Sequence, residues 1–173
     1  MIKTSELDKL TSYSYRIPNK DDGAKMWELI KSTSNMDLNS AYSYLLLSHY
    51  FSDTCVIAED QDQIIGFVSA FRPPANPDTV FVWQVAVNSD YRGKGIGNKL
   101  LNELLDREAC EDVQYLEATV SPSNVPSQSL FKGLAKKMDC PCEISDCFTE
   151  EMFPEPGHEA EQTYRVGPFN QKL

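Results

Sequence analysis

Apolar and polar residues alternate along this chain with two different periods, and these periods predict its helices and strands. Apolar residues three and four positions apart predict four helices, over residues 21–34, 39–51, 95–109 and 123–138. Runs rich in β-branched and aromatic residues predict six strands, over residues 54–60, 63–72, 80–87, 113–120, 142–148 and 162–167. The order ααβββαβαββ indicates an α/β fold in which helices flank a mixed sheet.

The same pattern predicts helix faces and domain limits. In the second helix, one apolar stripe is predicted to contain Tyr42, Leu45, Leu46 and His49. No internal repeat or low-complexity linker interrupts the pattern, which predicts a single domain. The polar start of the chain predicts a flexible segment over residues 1–13, followed by a domain over 14–168 and a C-terminal tail over 169–173.

The composition is that of a globular protein with an acidic surface. The 173 residues are 41% hydrophobic and 24% charged, and the formal net charge is −10. A nucleic-acid partner usually requires a basic surface, so the charge disfavours that class. No run approaches the ~18–20 apolar residues that span a bilayer. The N-terminus also lacks the apolar core of a signal peptide, so we expect no membrane partner and a cytoplasmic location.

The five cysteines form no recognisable disulfide or zinc pattern. Cys140, Cys142 and Cys147 cluster as C-P-C-x4-C, but the second C-x2-4-C pair of a typical zinc site is absent from the sequence. The odd number of cysteines also argues against a disulfide framework. We therefore expect reduced thiols and no metal.

A glycine-rich segment, YRGKGIGNKL at residues 91–100, joins a predicted strand to a predicted helix. Its glycines, at positions 93, 95 and 97, fit neither the G-x-G-x-x-G dinucleotide spacing nor the G-x-x-x-x-G-K-[ST] phosphate loop. Glycines nevertheless allow backbone N–H groups to approach a phosphate, and Arg92, Lys94 and the helix N-terminus add positive charge. The residues alone leave two interpretations open, a phosphate site and an ordinary turn with solvated cations.

The sequence RGKGIG resembles the R/Q-x-x-G-x-G/A pyrophosphate loop of the GNAT N-acetyltransferase family, whose members bind acetyl-CoA. The order of the surrounding elements also agrees with that family. The resemblance implies that the pyrophosphate is bound by Arg92, Gly93, Lys94, Gly95, Ile96 and Gly97. It implies that a bulge opens the sheet and that the pantetheine arm lies along Val85, Ala86 and Val87, and it implies cofactor contacts from Asn124 and Ser127.

Two positions bear on the chemistry that this family performs. The resemblance implies that the backbone N–H of Val85 polarises the thioester carbonyl, as an oxyanion hole does. Phe131 stands where many family members have the tyrosine that protonates the leaving thiolate. The general acid is therefore left unassigned.

Four segments resemble the diaminobutyrate acetyltransferase family of ectoine biosynthesis, and together they lie within residues 14–166. They are SNMDLNSAYSYLLL, FVSAFRPPANPDTVFVWQVAV, RGKGIG and TVSPSNVPSQSLF. The resemblance implies acetyl transfer from acetyl-CoA to the 4-amino group of L-2,4-diaminobutyrate, a role in osmotic stress, and a homodimer. Two alternatives stay open, acetylation of another small amine and a catalytically silent acyl-CoA-binding module.

A substrate with two ammonium groups favours an acidic pocket, and two regions supply carboxylates. Asp37 precedes the second helix, and a late loop reads Glu155-x-x-His158-Glu159-x-Glu161. By resemblance, we expect Asp37, Glu155 and Glu159 to bind the ammonium groups, and His158 or Glu159 to take the proton. The pocket walls are expected to include Tyr42, Phe81 and Trp83. The residues alone also allow a simpler explanation of each position. Asp37 could cap a helix, the aromatic residues could belong to the core or its rim, and the late loop could be a solvated surface segment.

Overall fold

The computed structural model describes residues 12–33 and 36–170, and in them a seven-stranded mixed sheet carries helices on both faces. The strands are β1 (Ser14–Arg16), β2 (Val56–Asp60), β3 (Gln63–Phe71), β4 (Thr79–Val87), β5 (Tyr115–Val120), β6 (Cys142–Phe148) and β7 (Glu161–Val166). The α-helices are α1 (Gly23–Ser32), α2 (Ala41–Tyr50), α3 (Ile96–Leu105) and α4 (Val125–Lys137). The sheet order is β1-β2-β3-β4-β5-β7-β6, and the predicted α/β fold is confirmed.

All the helices and strands predicted from the sequence are present, and one strand was missed. β1 has only three residues, too few to show a period, and it forms by pairing with β2 at the edge of the sheet. β4 and β5 run parallel, as a strand–helix–strand unit requires, and α3 connects them. The sheet opens between β4 and β5 beyond the end of this parallel pairing.

The two faces of the sheet bury separate hydrophobic cores. On one face, α3 and α4 pack their leucines and Phe131 against valines of β4 and β5. On the other face, α1 and α2 pack against Ile57 of β2, Phe67 of β3 and Ala86 of β4, which alternate along their strands with residues that face the first core. The period-two alternation of the strands therefore serves both cores, as it does in a sheet covered on both sides.

The buried face of α2 differs from the predicted one. Tyr44 is 0% exposed and Leu47 is 4% exposed, whereas Tyr42 is 67% exposed. The helix, AYSYLLLSHY, is apolar on every side, so its own pattern cannot select a buried face. Packing selects it, because the Tyr44 ring meets Phe67 of β3 edge-on at 6.3 Å. The predicted stripe of Tyr42, Leu45, Leu46 and His49 is therefore wrong.

β4 contains a bulge that opens the sheet beside β5. The register of the β3–β4 pair shifts between Ser69 and Ala70, which leaves Trp83 as the extra residue of β4. On the other edge of β4, pairing with β5 ends at Val82 and Ala118. Beyond that pair the two strands separate and leave a wedge-shaped cleft, as the family resemblance implied.

Much of the predicted segment 1–13 and part of the tail 169–173 lie outside the described residues. Within the described part, Phe169 is 6% exposed and packs in the core of α3 and α4, at the point where the tail was predicted to begin. In that same part of the chain, no helix has the length and apolar character needed to cross a bilayer.

Candidate active site

The cleft between β4 and β5 exposes backbone groups of β4. The Asn88 N–H donates to Ile65 C=O of β3 at 2.7 Å. Because peptide groups point alternately to the two sides of a strand, those of Val85 and Val87 point away from β3 and into the cleft. The family resemblance implied contacts with a pantetheine arm at Val85, Ala86 and Val87. The Ala86 peptide group instead points to Phe67 of β3, and its side chain is buried.

The glycine-rich loop lies between β4 and α3, as the sequence predicted. Gly93 has φ +74° and Gly95 has φ +77°, which only glycine adopts at low cost. The first hydrogen bond of α3 runs from the Lys99 N–H to Gly95 C=O at 3.0 Å. The N–H groups before Lys99 therefore have no acceptor within the helix and point along its axis, where an anion is favoured.

Arg92, at the start of this loop, is exposed, and its Nε lies 3.4 Å from Val87 C=O. Its guanidinium therefore joins the end of β4 to the glycine loop. Lys94 Nζ lies 4.9 Å from the centroid of the Tyr91 ring. The loop thus combines two cations with unpaired N–H groups, which suits a pyrophosphate.

A cavity of about 660 Å³ lies where the cleft meets the loops before α2 and before β7. Four of the predicted site residues that were distant in sequence line it together, namely Asp37, Trp83, His158 and Glu159. Asn124, predicted to contact the cofactor, lines the same cavity from the start of α4. The fold therefore brings the acidic loop, the bulge and the Asp37 segment into one space.

His158 is held in a defined orientation within this cavity. Its ring stacks on Phe153, with centroids 3.7 Å apart and planes 13° apart. Its Nδ1 lies 2.7 Å from Glu159 C=O, an acceptor, so Nδ1 is the protonated nitrogen of the neutral ring. Nε2 then carries the lone pair, 3.8 Å from Asp37 Oδ2. A neutral His158 can therefore accept a proton at Nε2, and the Asp37 carboxylate would stabilise the imidazolium.

Glu161 lines the cavity, although its sequence position indicated only that it belongs to the acidic loop. It is the first residue of β7 and is partly buried. Burial raises the pKa of its carboxyl, although His158 and a hydrogen bond from Thr119 act in the opposite direction. Thr119, also in the cavity wall, was not predicted either, because nothing in the sequence shows that β5 and β7 are neighbours.

Three predicted substrate contacts lie away from this cavity wall. Tyr42 projects from the first turn of α2 and is 67% exposed, and Glu155 is exposed in the loop before β7. Phe81 packs against Phe71 of the neighbouring strand, with ring centroids 5.3 Å apart. The period-two rule places Phe81 and Trp83 on one face of a regular strand, but the bulge at Trp83 interrupts that regularity.

The two predicted cofactor contacts near α4 form its N-cap. The Asn124 side chain accepts from the Ser127 N–H at 3.2 Å, and Pro126 occupies the first turn. The Phe131 ring, further along α4, is 3% exposed in the core. No titratable group of α4 therefore stands at that position to protonate a thiolate.

Glu159 and Ser123 link the late loop to the loop before α4. The Ser123 hydroxyl donates to Glu159 Oε2 across the cavity mouth.

Across residues 12–33 and 36–170, no group of three or more His, Cys, Asp or Glu side chains is arranged to hold a metal ion. The residues that line the cavity supply carboxylates, an imidazole and hydrogen-bond donors.

This chain is similar to known acetyltransferases in sequence and in fold. The model of the acetyltransferase (GNAT) family matches residues 24–135, more than half of the chain. The chain is 54% identical over 152 residues to an L-2,4-diaminobutyric acid acetyltransferase from Marinococcus halophilus, covering 88% of each protein. It is 50% identical to an enzyme of the same name from Shouchella clausii, covering 88% of this chain and 85% of that one.

A solved structure is similar over nearly the whole chain. It is that of the diaminobutyrate acetyltransferase EctA from Paenibacillus lautus, in complex with its substrate L-2,4-diaminobutyric acid and coenzyme A. The sequences are 47% identical, the TM-score is 0.90, and the match covers 94% of this chain and 99% of that one.

Proposed function

The chain belongs to the GNAT acetyltransferase family, and we propose that it transfers the acetyl group of acetyl-CoA to the 4-amino group of L-2,4-diaminobutyrate. The observation that carries this proposal is the acidic cavity at the open end of the β4–β5 cleft. A thioester arm that lies along β4 ends at this cavity. A diammonium substrate meets Asp37, Glu159 and Glu161 there.

The donor is held by backbone groups and cations in this proposal. The N–H groups of residues 93–97, with Arg92 and Lys94, bind the pyrophosphate, and the outward-facing peptide groups of β4 bind the pantetheine arm. The Val85 N–H points into the cleft, where it stabilises the negative charge on the thioester oxygen as the amine attacks. Acetyl-CoA is a cosubstrate, and the step requires no metal.

The acceptor is held by the carboxylates and is activated by His158. Asp37 and Glu159 bind the ammonium groups, and His158 Nε2 takes one proton from the 4-ammonium group. The neutral nitrogen then attacks the carbonyl carbon, and the C–S bond breaks as the amide forms. The second proton leaving this nitrogen neutralises the coenzyme A thiolate, so one proton in total is released to solvent.

The function is tested by following coenzyme A release with 2,4-diaminobutyrate, ornithine, lysine and putrescine in parallel. Release that is fastest with 2,4-diaminobutyrate supports the proposal, and NMR of the product then separates 2-acetylation from 4-acetylation. Faster release with another amine points to a different small-amine acetyltransferase. The absence of release with all four amines points to a binding module.

Arg92→Ala is expected to raise the KM for acetyl-CoA about tenfold or more, since a charged hydrogen-bond partner of the pyrophosphate is lost. The KM for 2,4-diaminobutyrate is expected to change by less than about twofold, because that cavity is lined by other residues. Initial rates measured against each substrate in turn check both values. Lys136→Ala, which removes an exposed cation outside the loop and the cavity, is the control, and equal effects of the two substitutions would contradict the assignment.

We further propose that the protein acts in the cytoplasm, in ectoine synthesis under osmotic stress, and that residues 14–168 form its acetyltransferase domain. We also propose that it is a homodimer. The edge strand β6 supports the dimer, since Ile144 and Phe148 on it are 44% and 46% exposed and Met152 beyond it is 64% exposed. Unpaired edges and exposed apolar groups of this kind favour association. Light scattering coupled to size-exclusion chromatography tests it, and a monomer at assay concentration would refute it.

A further inference from the structure

A chain of hydrogen bonds connects the interior of α2 to the backbone of Asp37 in the cavity wall. The Tyr44 side chain is fully buried, and its hydroxyl donates to Gln84 Oε1 at 3.0 Å. Gln84 Nε2 in turn donates to Asp37 C=O at 2.9 Å. The Asn39 N–H donates to the Tyr44 hydroxyl at 3.4 Å. Two backbone groups of segment 37–39 are thus tied to one pair of buried side chains.

Both members of this pair are fixed by the fold. The Tyr44 ring packs against Phe67 of β3, and Gln84 follows the bulge residue Trp83 in β4 and pairs with Ser69. Gln84 is 8% exposed, so its amide has little access to water as an alternative partner. The pair therefore joins a helix, two strands and the Asp37 segment at one point.

The Asp37 carboxylate is held much less firmly than its backbone. Its side chain is 88% exposed, and its contact with His158 Nε2 spans 3.8 Å, longer than a hydrogen bond. Its place in the cavity therefore follows from the position of residues 37–39. A binding group held this way depends on the residues that support its backbone.

We propose that Tyr44 and Gln84 are positioning residues, which hold Asp37 where its carboxylate meets an ammonium group of the substrate. This role rests on the proposed function. Tyr44 is fully buried and its hydroxyl is occupied by Gln84 and Asn39, so it acts on the substrate through its neighbours, among which Asp37 carries the charge that an ammonium group meets. Replacing Tyr44 should therefore weaken the binding of 2,4-diaminobutyrate and leave the binding of acetyl-CoA unchanged.

Tyr44→Phe removes this hydroxyl and keeps the ring that packs on Phe67. We expect the KM for 2,4-diaminobutyrate to rise about tenfold, since the Asn39 N–H loses its acceptor and Gln84 loses the donor that orients its amide toward Asp37 C=O. The KM for acetyl-CoA is expected to stay within about twofold. Coenzyme A release measured against each substrate gives both numbers.

Tyr91→Phe is the matched control, because it removes another tyrosine hydroxyl that donates to a side chain, Asp60 Oδ2 at 2.9 Å. Tyr91 precedes the pyrophosphate loop, so any effect of this control should fall on acetyl-CoA and leave the KM for 2,4-diaminobutyrate unchanged. Asp37→Asn provides the second comparison. If Tyr44 acts through Asp37, Tyr44→Phe should raise the KM for 2,4-diaminobutyrate much less in the Asp37→Asn enzyme than in the wild type.

The proposal is overturned if Tyr44→Phe leaves both KM values unchanged, raises both alike, or has the same effect with and without Asp37→Asn. If Tyr44→Phe does not fold, as judged by its thermal melt, Gln84→Met removes the hydrogen bond to Asp37 C=O instead. Because Gln84 also lines the cavity, its effect on the KM for 2,4-diaminobutyrate supports the proposal only if Asp37→Asn reduces that effect, and an effect that Asp37→Asn leaves unchanged overturns it. A wild-type enzyme inactive with 2,4-diaminobutyrate would refute the proposed function and the positioning role together. An active wild type with an unaltered variant refutes the positioning role alone.

Discussion

Replacing His158 with alanine is expected to lower kcat about 10²- to 10⁴-fold, because the reaction then lacks the group that deprotonates the substrate amine. The structural reason is the fixed tautomer, in which Nδ1 donates to Glu159 C=O at 2.7 Å and Nε2 faces the cavity. Coenzyme A release at saturating concentrations of both substrates measures the effect. The KM for acetyl-CoA should change little, since the donor is held by the loop before α3.

Two further variants separate base catalysis from loop structure. In His158→Asn, the amide can still donate to Glu159 C=O in place of Nδ1, so the loop keeps its hydrogen bond while the base is lost. This variant should be as slow as His158→Ala. Glu161→Gln tests the competing base, a carboxyl whose pKa is raised by burial, and it should retain much more of kcat than either His158 variant.

The pH dependence of the His158→Asn enzyme provides an independent readout. Without a base, the substrate amine must lose its proton to water, and an alkyl amine has a pKa of about 10.4. The turnover of this variant should therefore rise about tenfold per pH unit between about pH 7 and 9, and more steeply than that of the wild type. If both His158 variants keep wild-type turnover across this range, His158 is not the base.

The sequence alone predicted nearly every element, and the exceptions have specific physical causes. Strong periods in α3 and in the central strands are local signals, and they suffice to place those elements. β1 was missed because three residues have no period and because its pairing partner, β2, lies some forty residues later. The face of α2 was wrong because that helix is apolar all round, so contacts with β3 decide it.

The acetyl-CoA site could be predicted from the sequence far better than the cavity for the amine substrate. The pyrophosphate loop is a contiguous motif, so a single segment of the sequence contains all of its residues. The acceptor cavity instead depends on a bulge at Trp83 and on the pairing of β5 with β7, which no single segment reveals. This is why Glu161 and Thr119 were not singled out.

Arg16 and Asp22 form the most buried ion pair near the N-terminal edge of the sheet, and Arg16→Met is expected to destabilise the fold by about 3 kcal/mol. Both guanidinium nitrogens contact the Asp22 carboxylate, at 2.7 and 2.8 Å, and the second also contacts Glu59 at 2.6 Å. The Asp22 side chain is only 3% exposed. Removing Arg16 leaves this carboxylate with the Asn19 N–H, at 2.7 Å, and no opposite charge in contact.

Thermal and urea unfolding measure this loss, and a fall of roughly 6–12 °C in Tm is expected for a domain of this size. Glu103→Gln is the control, because its pair with Lys99 is a surface i,i+4 contact whose loss should cost less than about 0.5 kcal/mol. Asp22→Asn combined with Arg16→Met should recover part of the stability, since no buried charge is then left unpaired. Equal effects of Arg16→Met and Glu103→Gln would show that the Arg16 pair is not a structural anchor.

The stability lost in Arg16→Met is expected to depend on pH in a direction that follows from the pKa of Asp22. Burial by itself would raise the pKa of Asp22, but Arg16 and the Asn19 N–H outweigh burial and lower it. In the wild type, the stabilisation from Asp22 is therefore present above its unfolded pKa of about 3.9 and is lost as the pH falls through the lower folded value. In Arg16→Met burial dominates, so the folded pKa of Asp22 should rise above 3.9. The stability deficit of this variant should then be largest at neutral pH and shrink on acidification toward about pH 4, whereas a deficit that grows with acid would contradict the assignment.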